Sequence, residues 1–345
     1  MIDFENLKIY DSSLSSVGGD QKRIELRTIS HSDDPLDQSL IFIKNKRFYK
    51  HIGRRSDKDS FKQTVAVVQE DFWLSLEMSA QDELAERFAF IATTKSVDQS
   101  MCLLSKPFYD LLFQDINYQV DGRQMGSAVI DASAQIAQGV FIGENVKIGK
   151  DVRILPGCVI LPEVEVLDGT VLFPNITIYP YTKIGKNCRI HAGTVIGCDG
   201  FGYNFFEGSH HKIWHLGGVV IGDDVEIGCN TMIDAGAFTP TEIGRGSKVD
   251  NDVQLSHNVK VAEHVIICGK TGLAGSVEVE NYCAFGAGAG VAPSAIIGQG
   301  AQVAARAVVS ENAIIPPGEI VGGHPARPLK EWMRSQATLR KLSKK

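Results

Sequence analysis

Over two long stretches of this chain a branched aliphatic residue returns at every sixth position, and a polypeptide keeps that period only by winding the same way repeatedly. The first run has twelve members without a gap, from Ile130, Ile136 and Ile142 to Ile184, Ile190 and Ile196. After a break come Ile221, Ile227 and Ile233, then a four-residue slip, then fourteen members from Ile243 to Val321. Six is neither the 3.6 of a helix nor the two of a simple amphipathic strand, so each hexad reads as one short strand plus a corner. For every aliphatic residue to point at one shared axis, three hexads must close a triangular turn, which makes a solenoid of about ten coils. Val146, Val152, Val225, Val253, Val259 and Val265, four places further on, fill the same interior. Coils stack at the strand spacing of roughly 4.8 Å, so residues about eighteen apart lie almost directly above one another. The 34 glycines suit corners that demand tight backbone conformations.

The chain has 345 residues, 43% of them hydrophobic, enough for two or three domains and a substantial core. No apolar run approaches a membrane span. The first residues lack the basic start and apolar stretch of a secretion signal, so a cytoplasmic protein is expected. Seven cysteines without paired metal spacing read as reduced, structural thiols. A net charge of −6 argues against nucleic acid as a partner.

Residues 1–125 carry no hexads. They mix β-like runs (39–43, 63–68, 88–92) with a helix from about Val97 to Leu112, and form a small α/β domain. The solenoid occupies 126–327 and is broken at 199–218 by an aromatic, His-rich insertion containing Phe201, Tyr203, Phe205, Phe206, His210, His211, Trp214 and His215. Residues 328–345 read as a basic helical tail, a cap for the open coil end. The fold class is therefore mainly β, a parallel β-helix with a small N-terminal α/β domain and a C-terminal helix.

Within the hexads the most polar stretch runs from Asp250 to Val259 and includes Asn251, Gln254, His257 and Asn258. His257 is expected on a corner, facing out. Imidazole is the side chain whose ordinary pKa suits proton transfer near neutrality; a surface histidine without a task fits the same position. One coil on, Gly275 puts a bare backbone N–H over that imidazole, an oxyanion hole in outline, although a corner glycine would occupy it equally well.

The stretch Asp250–Val259, the Gly275-Ser276 pair, the insertion opening Asp199-Gly200-Phe201-Gly202-Tyr203 and the terminal Gly323-His324-Pro325-Ala326-Arg327 resemble the UDP-3-O-acylglucosamine N-acyltransferase family of lipid A biosynthesis, among the hexapeptide-repeat acyltransferases. The resemblance implies a left-handed coil, a homotrimer, and transfer of a 3-hydroxyacyl group from acyl carrier protein to the 2-amino group of a UDP-linked, 3-O-acylated glucosamine. His257 would then be the general base, Gly275 the oxyanion donor, and Asp250 a carboxylate that orients the amine or the imidazole. Gln254, Asn251 and Asn258 fall to substrate binding. Phe42, Asn45 and Phe48 resemble the family's aromatic, Asn, aromatic spacing for uracil, with Tyr49 as the alternative second ring; two core aromatics would give the same pattern. Ser294 stands where many members have a further histidine. No bound cofactor is implied, since phosphopantetheine arrives on the carrier protein, and no metal.

Three further assignments follow from chemistry. Phe201 and Tyr203 of the insertion could wall an acyl groove, or pack on the insertion or the next protomer. Lys330, Arg334, Arg340 and Lys341 could dock acidic carrier protein, or form a solvated helix face. Asp250 lies seven residues before His257, hence on a neighbouring corner, so a site using both would form between protomers. The rivals are another sugar-nucleotide acyltransferase, a zinc carbonic anhydrase of the γ type built on His210, His211 and His215, and a purely structural solenoid.

Overall fold

The computed structural model describes residues 2–18, 24–46, 49, 52, 61–323 and 329–343. The hexads form three parallel sheets of ten, nine and ten strands, one strand per hexad, so each sheet is one wall of a three-sided coil. Along one wall Ile136, Ile154, Leu172, Ile190, Ile227, Val249, Ile267, Phe285, Val303 and Val321 stack in register. The insertion is bridged without loss of register, Ile190 pairing directly with Ile227.

Each coil turns three times, and the residue three after the aliphatic one takes positive φ at the corners, as Asn145, Asp151, Asn187, Asp252 and Asn258 do. Asn and Asp tolerate this left-handed conformation at little cost, which explains their recurrence there. The inward aliphatics and the small residues four places on form one continuous column from Val140 to Val309. Each fully buried Ile, Leu or Val is worth about 1.5–3 kcal/mol relative to exposure. At some inner positions a Thr hydroxyl is satisfied by a carbonyl of the next coil, as where Thr231 Oγ1 donates to Asp250 O at 2.8 Å.

The N-terminal unit is a five-stranded sheet in the order Ser15–Gly18, Phe90–Thr94, Thr64–Gln69, Ser39–Ile43, Thr28–Ser30, with only the first strand antiparallel to its neighbour. Its central strands are buried on both faces, so they read as apolar runs. Leu40, Phe42, Val65, Val67 and Phe90 pack towards the helices Phe4–Tyr10 and Val97–Phe113. Ile41, Ile43, Ala66, Val68 and Ile91 pack with Trp73 and Leu84 of the helices Glu70–Leu74 and Met78–Arg87.

The insertion is a β-hairpin, Tyr203–Phe206 against Ser209–Lys212, turned by Glu207 and Gly208, both at positive φ. That pair matches the right-handed strand twist. The hairpin docks on the helix Val97–Phe113: Asn204 Nδ2 donates to Asp98 O (2.8 Å) and the Trp214 N–H to Ser105 Oγ (3.0 Å), while Trp214 packs 4.7 Å from Tyr109. The insertion thus ties the N-terminal unit to the coil. The helix Leu329–Leu342 closes the described chain with Lys330, Arg334, Arg340 and Lys341 exposed. Among the described residues no helix is long and apolar enough to cross a membrane.

Candidate active site

His257 stands on the corner after the strand Gln254–Leu255, half-buried and outside the apolar column. Its Nδ1 lies 3.2 Å from Asn258 Oδ1. The amide of Asn258 cannot be turned round. Its Nδ2 donates to Thr239 O (3.0 Å) and Thr239 Oγ1 (3.2 Å), and its Oδ1 accepts the Ala237 N–H (2.9 Å). An acceptor therefore faces the ring, Nδ1 must carry the proton, and Nε2 is left with its lone pair free, as a general base requires. All four hydrogen-bonding positions of Asn258 are filled by protein. Its sequence-based assignment to substrate is accordingly corrected: Asn258 fixes the imidazole tautomer.

Gly275 lies one coil on, and a Cβ there would come within 2.7 Å of His257 Cε1 and 2.8 Å of Nε2. Only a residue without a side chain leaves room at that edge of the ring. At some other corners the N–H at this position is accepted by a neighbouring side chain, Lys150 by Asp168, Lys186 by Asp223, Cys229 by Asn251, Glu263 by Asn281 and Gln299 by Glu280, while at others, such as Asn281 and Ala305, no acceptor is present among the described residues. Among the described residues nothing accepts the Gly275 N–H, and Pro293, at the next such corner, has no acceptor side chain. The Gly275 backbone and the Nε2 edge of His257 are thus neighbours.

Two residues not placed in the site from sequence complete its other side. His215, at the end of the insertion, is 2% exposed and meets His257 edge to face, ring centroids 5.3 Å apart and planes at 70°. Burial pushes its pKa down to about 4, with the nearby His257 adding to the effect. Asp234 is buried behind Gln254, whose Nε2 donates to its Oδ1 at 3.1 Å, and burial raises its pKa. The bare Gly200 sits at the joint of the two rings, where a Cβ would lie 2.6 Å from His257 Cβ and 2.9 Å from His215 Nε2. The signal for His215 was present in the Gly200 and Gly202 pair, but contact with His257 depends on how the insertion folds back.

Three stretches match two family models, residues 124–200 the GMPPB C-terminal domain and residues 218–256 and 276–311 the hexapeptide repeat of succinyl-transferase. This is a hexapeptide-repeat protein. It is 47% identical over 212 residues to the UDP-3-O-acylglucosamine N-acyltransferase of Helicobacter hepaticus, covering 61% of this chain and 64% of that relative. With the enzyme of the same name from Methylobacterium sp. (strain 4-46) it shares 40% identity over 154 residues, 45% of this chain and 43% of the relative. The matches therefore span about two-fifths to two-thirds of these curated relatives. Among solved structures, the UDP-N-acetylglucosamine acyltransferase of Bacteroides fragilis 9343 aligns over 61% of this chain and 76% of its own, with 22% identity and a TM-score of 0.45.

The other residues singled out from sequence fall in several places in this hexapeptide-repeat protein. Asp250 stands on a different corner from His257, after a strand of another wall, as the spacing requires. Its carboxylate accepts the N–H groups of Asn251 and Gly269, both at 2.8 Å, and it lines a groove of about 410 Å³ with His191, Lys248 and Cys268. Asn251 Oδ1 accepts the Cys229 N–H. Phe42 is a core residue, 7% exposed, whose ring meets Phe238 at 5.8 Å; Phe238 adjoins the Ala237 and Thr239 contacts of Asn258, so the N-terminal unit reaches the site through this pair. Asn45 is exposed and its carbonyl accepts the Tyr49 N–H. Tyr49 is half-buried against Phe72, while Phe48 lies outside the described residues, as do His324–Arg327. Phe201 is 86% exposed and packs edge-on to the exposed Tyr203. The histidines offered for zinc point apart: His210 packs on Phe205, His211 stacks on Phe206, and His215 faces His257.

Proposed function

We propose that this chain is an N-acyltransferase that moves a 3-hydroxyacyl group from acyl carrier protein to the 2-amino group of UDP-3-O-acylglucosamine, in the cytoplasm and as a homotrimer. The observation that carries the reading is the pairing of His257, its tautomer set by Asn258, with the unengaged N–H of Gly275. The names borne by the similar enzymes of Helicobacter hepaticus and Methylobacterium supply the substrate class.

In this reading the amine nitrogen attacks the thioester carbonyl and the C–N bond forms. The carbonyl oxygen becomes an oxyanion held by the Gly275 N–H, worth about 10²–10³-fold for one donor. His257 Nε2 takes the proton from nitrogen, a step worth about 10²–10⁴-fold. The C–S bond then breaks and the proton passes from His257 to the departing phosphopantetheine thiolate. The donor brings its own phosphopantetheine arm, so the chain itself contributes only protein groups. Asp250 serves a neighbouring protomer's site, since within one chain it stands on another corner.

Beside the His257 corner runs a shallow slot of about 370 Å³ lined by Gln254, Ser256, Gly272 and Gly290 and ended by Val308. Two successive coils there lack outward side chains, which suits an acyl chain better than the exposed Phe201 and Tyr203; each CH₂ buried is worth about 0.8 kcal/mol. The test is direct. The purified protein is incubated with 3-hydroxyacyl carrier proteins of graded length and UDP-3-O-acylglucosamine, and amide product is measured for wild type and His257→Ala. Turnover by the wild type and its loss in the variant are expected; equal turnover by both removes His257 from the chemistry.

A further inference from the structure

His215 is buried, 2% exposed, and no side chain hydrogen-bonds either of its ring nitrogens among the described residues; only the backbone of Ile213 lies close enough to act on the ring as a hydrogen-bond partner. A buried polar group left poorly paired is costly, and a hydrocarbon ring of the same shape would avoid that cost. The ring is held in one place: Gly200 and Gly202 pass so close that a Cβ on either would come within about 3 Å of it, and its edge-to-face partner is His257. On its far side it lines a cavity of about 560 Å³ with Tyr109, Tyr118 and Asp199.

We propose that His215 is a positioning residue for His257: its ring packs edge to face on the imidazole and, with Gly200 and Gly275, holds Nε2 beside the Gly275 backbone. This rests on the acyltransfer reading above. The contact is of the aromatic kind, which favours T-shaped geometry at this separation. The charged groups around the pair are Asp199 and Lys212, ion-paired with each other on the insertion side, and Asp234 on the coil side. Burial keeps His215 uncharged near neutrality, so when His257 gains its proton it faces a neutral ring and not a second cation.

The experiment compares the full-length wild type with His215→Ala, His215→Gln and His215→Phe, by steady-state kinetics and by NMR of the His257 ring nitrogens in ¹⁵N-histidine protein. Misplacing a catalytic group by about 1 Å costs on the order of 10²-fold. His215→Ala and His215→Gln are therefore expected to lower kcat about ten- to a hundredfold with KM little changed, and to blur the distinct Nδ1–H and Nε2 signals. His215→Phe keeps the ring and should restore both. Gln retains volume and polarity, so it serves if Ala folds poorly. The proposal is overturned if His215→Phe is as impaired as His215→Gln, or if all three turn over like wild type while His257→Ala is dead. Should His257→Ala stay active, the acyltransfer reading fails instead, and the ring spectra alone decide whether His215 orders His257.

Discussion

Replacing His215 with Phe should flatten part of the acid sensitivity of this protein's stability. The folded pKa of His215 is about 4 against an ordinary 6.5, because burial disfavours the charged ring. Below pH 6.5 the unfolded chain takes up a proton that the folded chain refuses until about pH 4. Stability from this residue is thus intact above pH 6.5 and is lost as the pH falls towards 4. The full difference corresponds to about 3 kcal/mol, at roughly 1.4 kcal/mol per pKa unit. By pH 5 about 2 kcal/mol of it should already be gone. Phe at this position has nothing to titrate and leaves no ring nitrogen unpaired, so it should equal or exceed wild type at pH 8. Urea unfolding followed by circular dichroism at pH 8 and pH 5 measures the change for both proteins. Wild type should lose about 2 kcal/mol more than His215→Phe over that interval. Equal losses would refute the reasoning, since they would mean that water or a partner reaches the ring in solution.

Gly275→Ala, at a position where φ is not positive, should fold normally and still cut turnover by about 10²-fold or more, because the new methyl displaces His257; circular dichroism and kcat check both halves. Gly290→Leu should leave stability unchanged but shift preference to shorter acyl donors, since an added Cβ there meets nothing closer than Val308 Cγ2 at 3.7 Å and a longer side chain fills the slot; competition between donors of graded length measures it. Mixed assemblies of His257→Ala and Asp250→Ala chains should regain activity that neither has alone, and failure to do so would remove the shared-site idea. Leu255→Ala, inside the apolar column, should cost about 2–5 kcal/mol of stability, read as a lower unfolding midpoint.

Much of the coil was legible because its chemistry is periodic. The aliphatic hexad places a side chain on the axis whatever surrounds it, and Gly, Asn or Asp holds many of the left-handed corners. His257 and Gly275 could be paired from spacing alone, since stacking makes residues about eighteen apart into neighbours. The insertion has no period, so the sequence says little about where its side chains go: Phe201 and Tyr203, read as an acyl wall or as packing on the insertion or the next protomer, are exposed and pack on each other, and His215, considered only as a zinc ligand, lies against His257. Asn258 shows the same limit on a smaller scale. Its type suited substrate binding, but Ala237, Thr239 and His257 use all its capacity.

The sequence by itself determined the winding, the walls and the corner on which the imidazole stands, because those follow from repeated local choices of side-chain size and backbone conformation. Only the tertiary structure decided which ring nitrogen is free and what encloses the ring. They depend on a loop at 237–239 gripping Asn258 and on Gly200 and His215, at the two ends of the insertion, closing on His257, and no local pattern encodes where such segments meet.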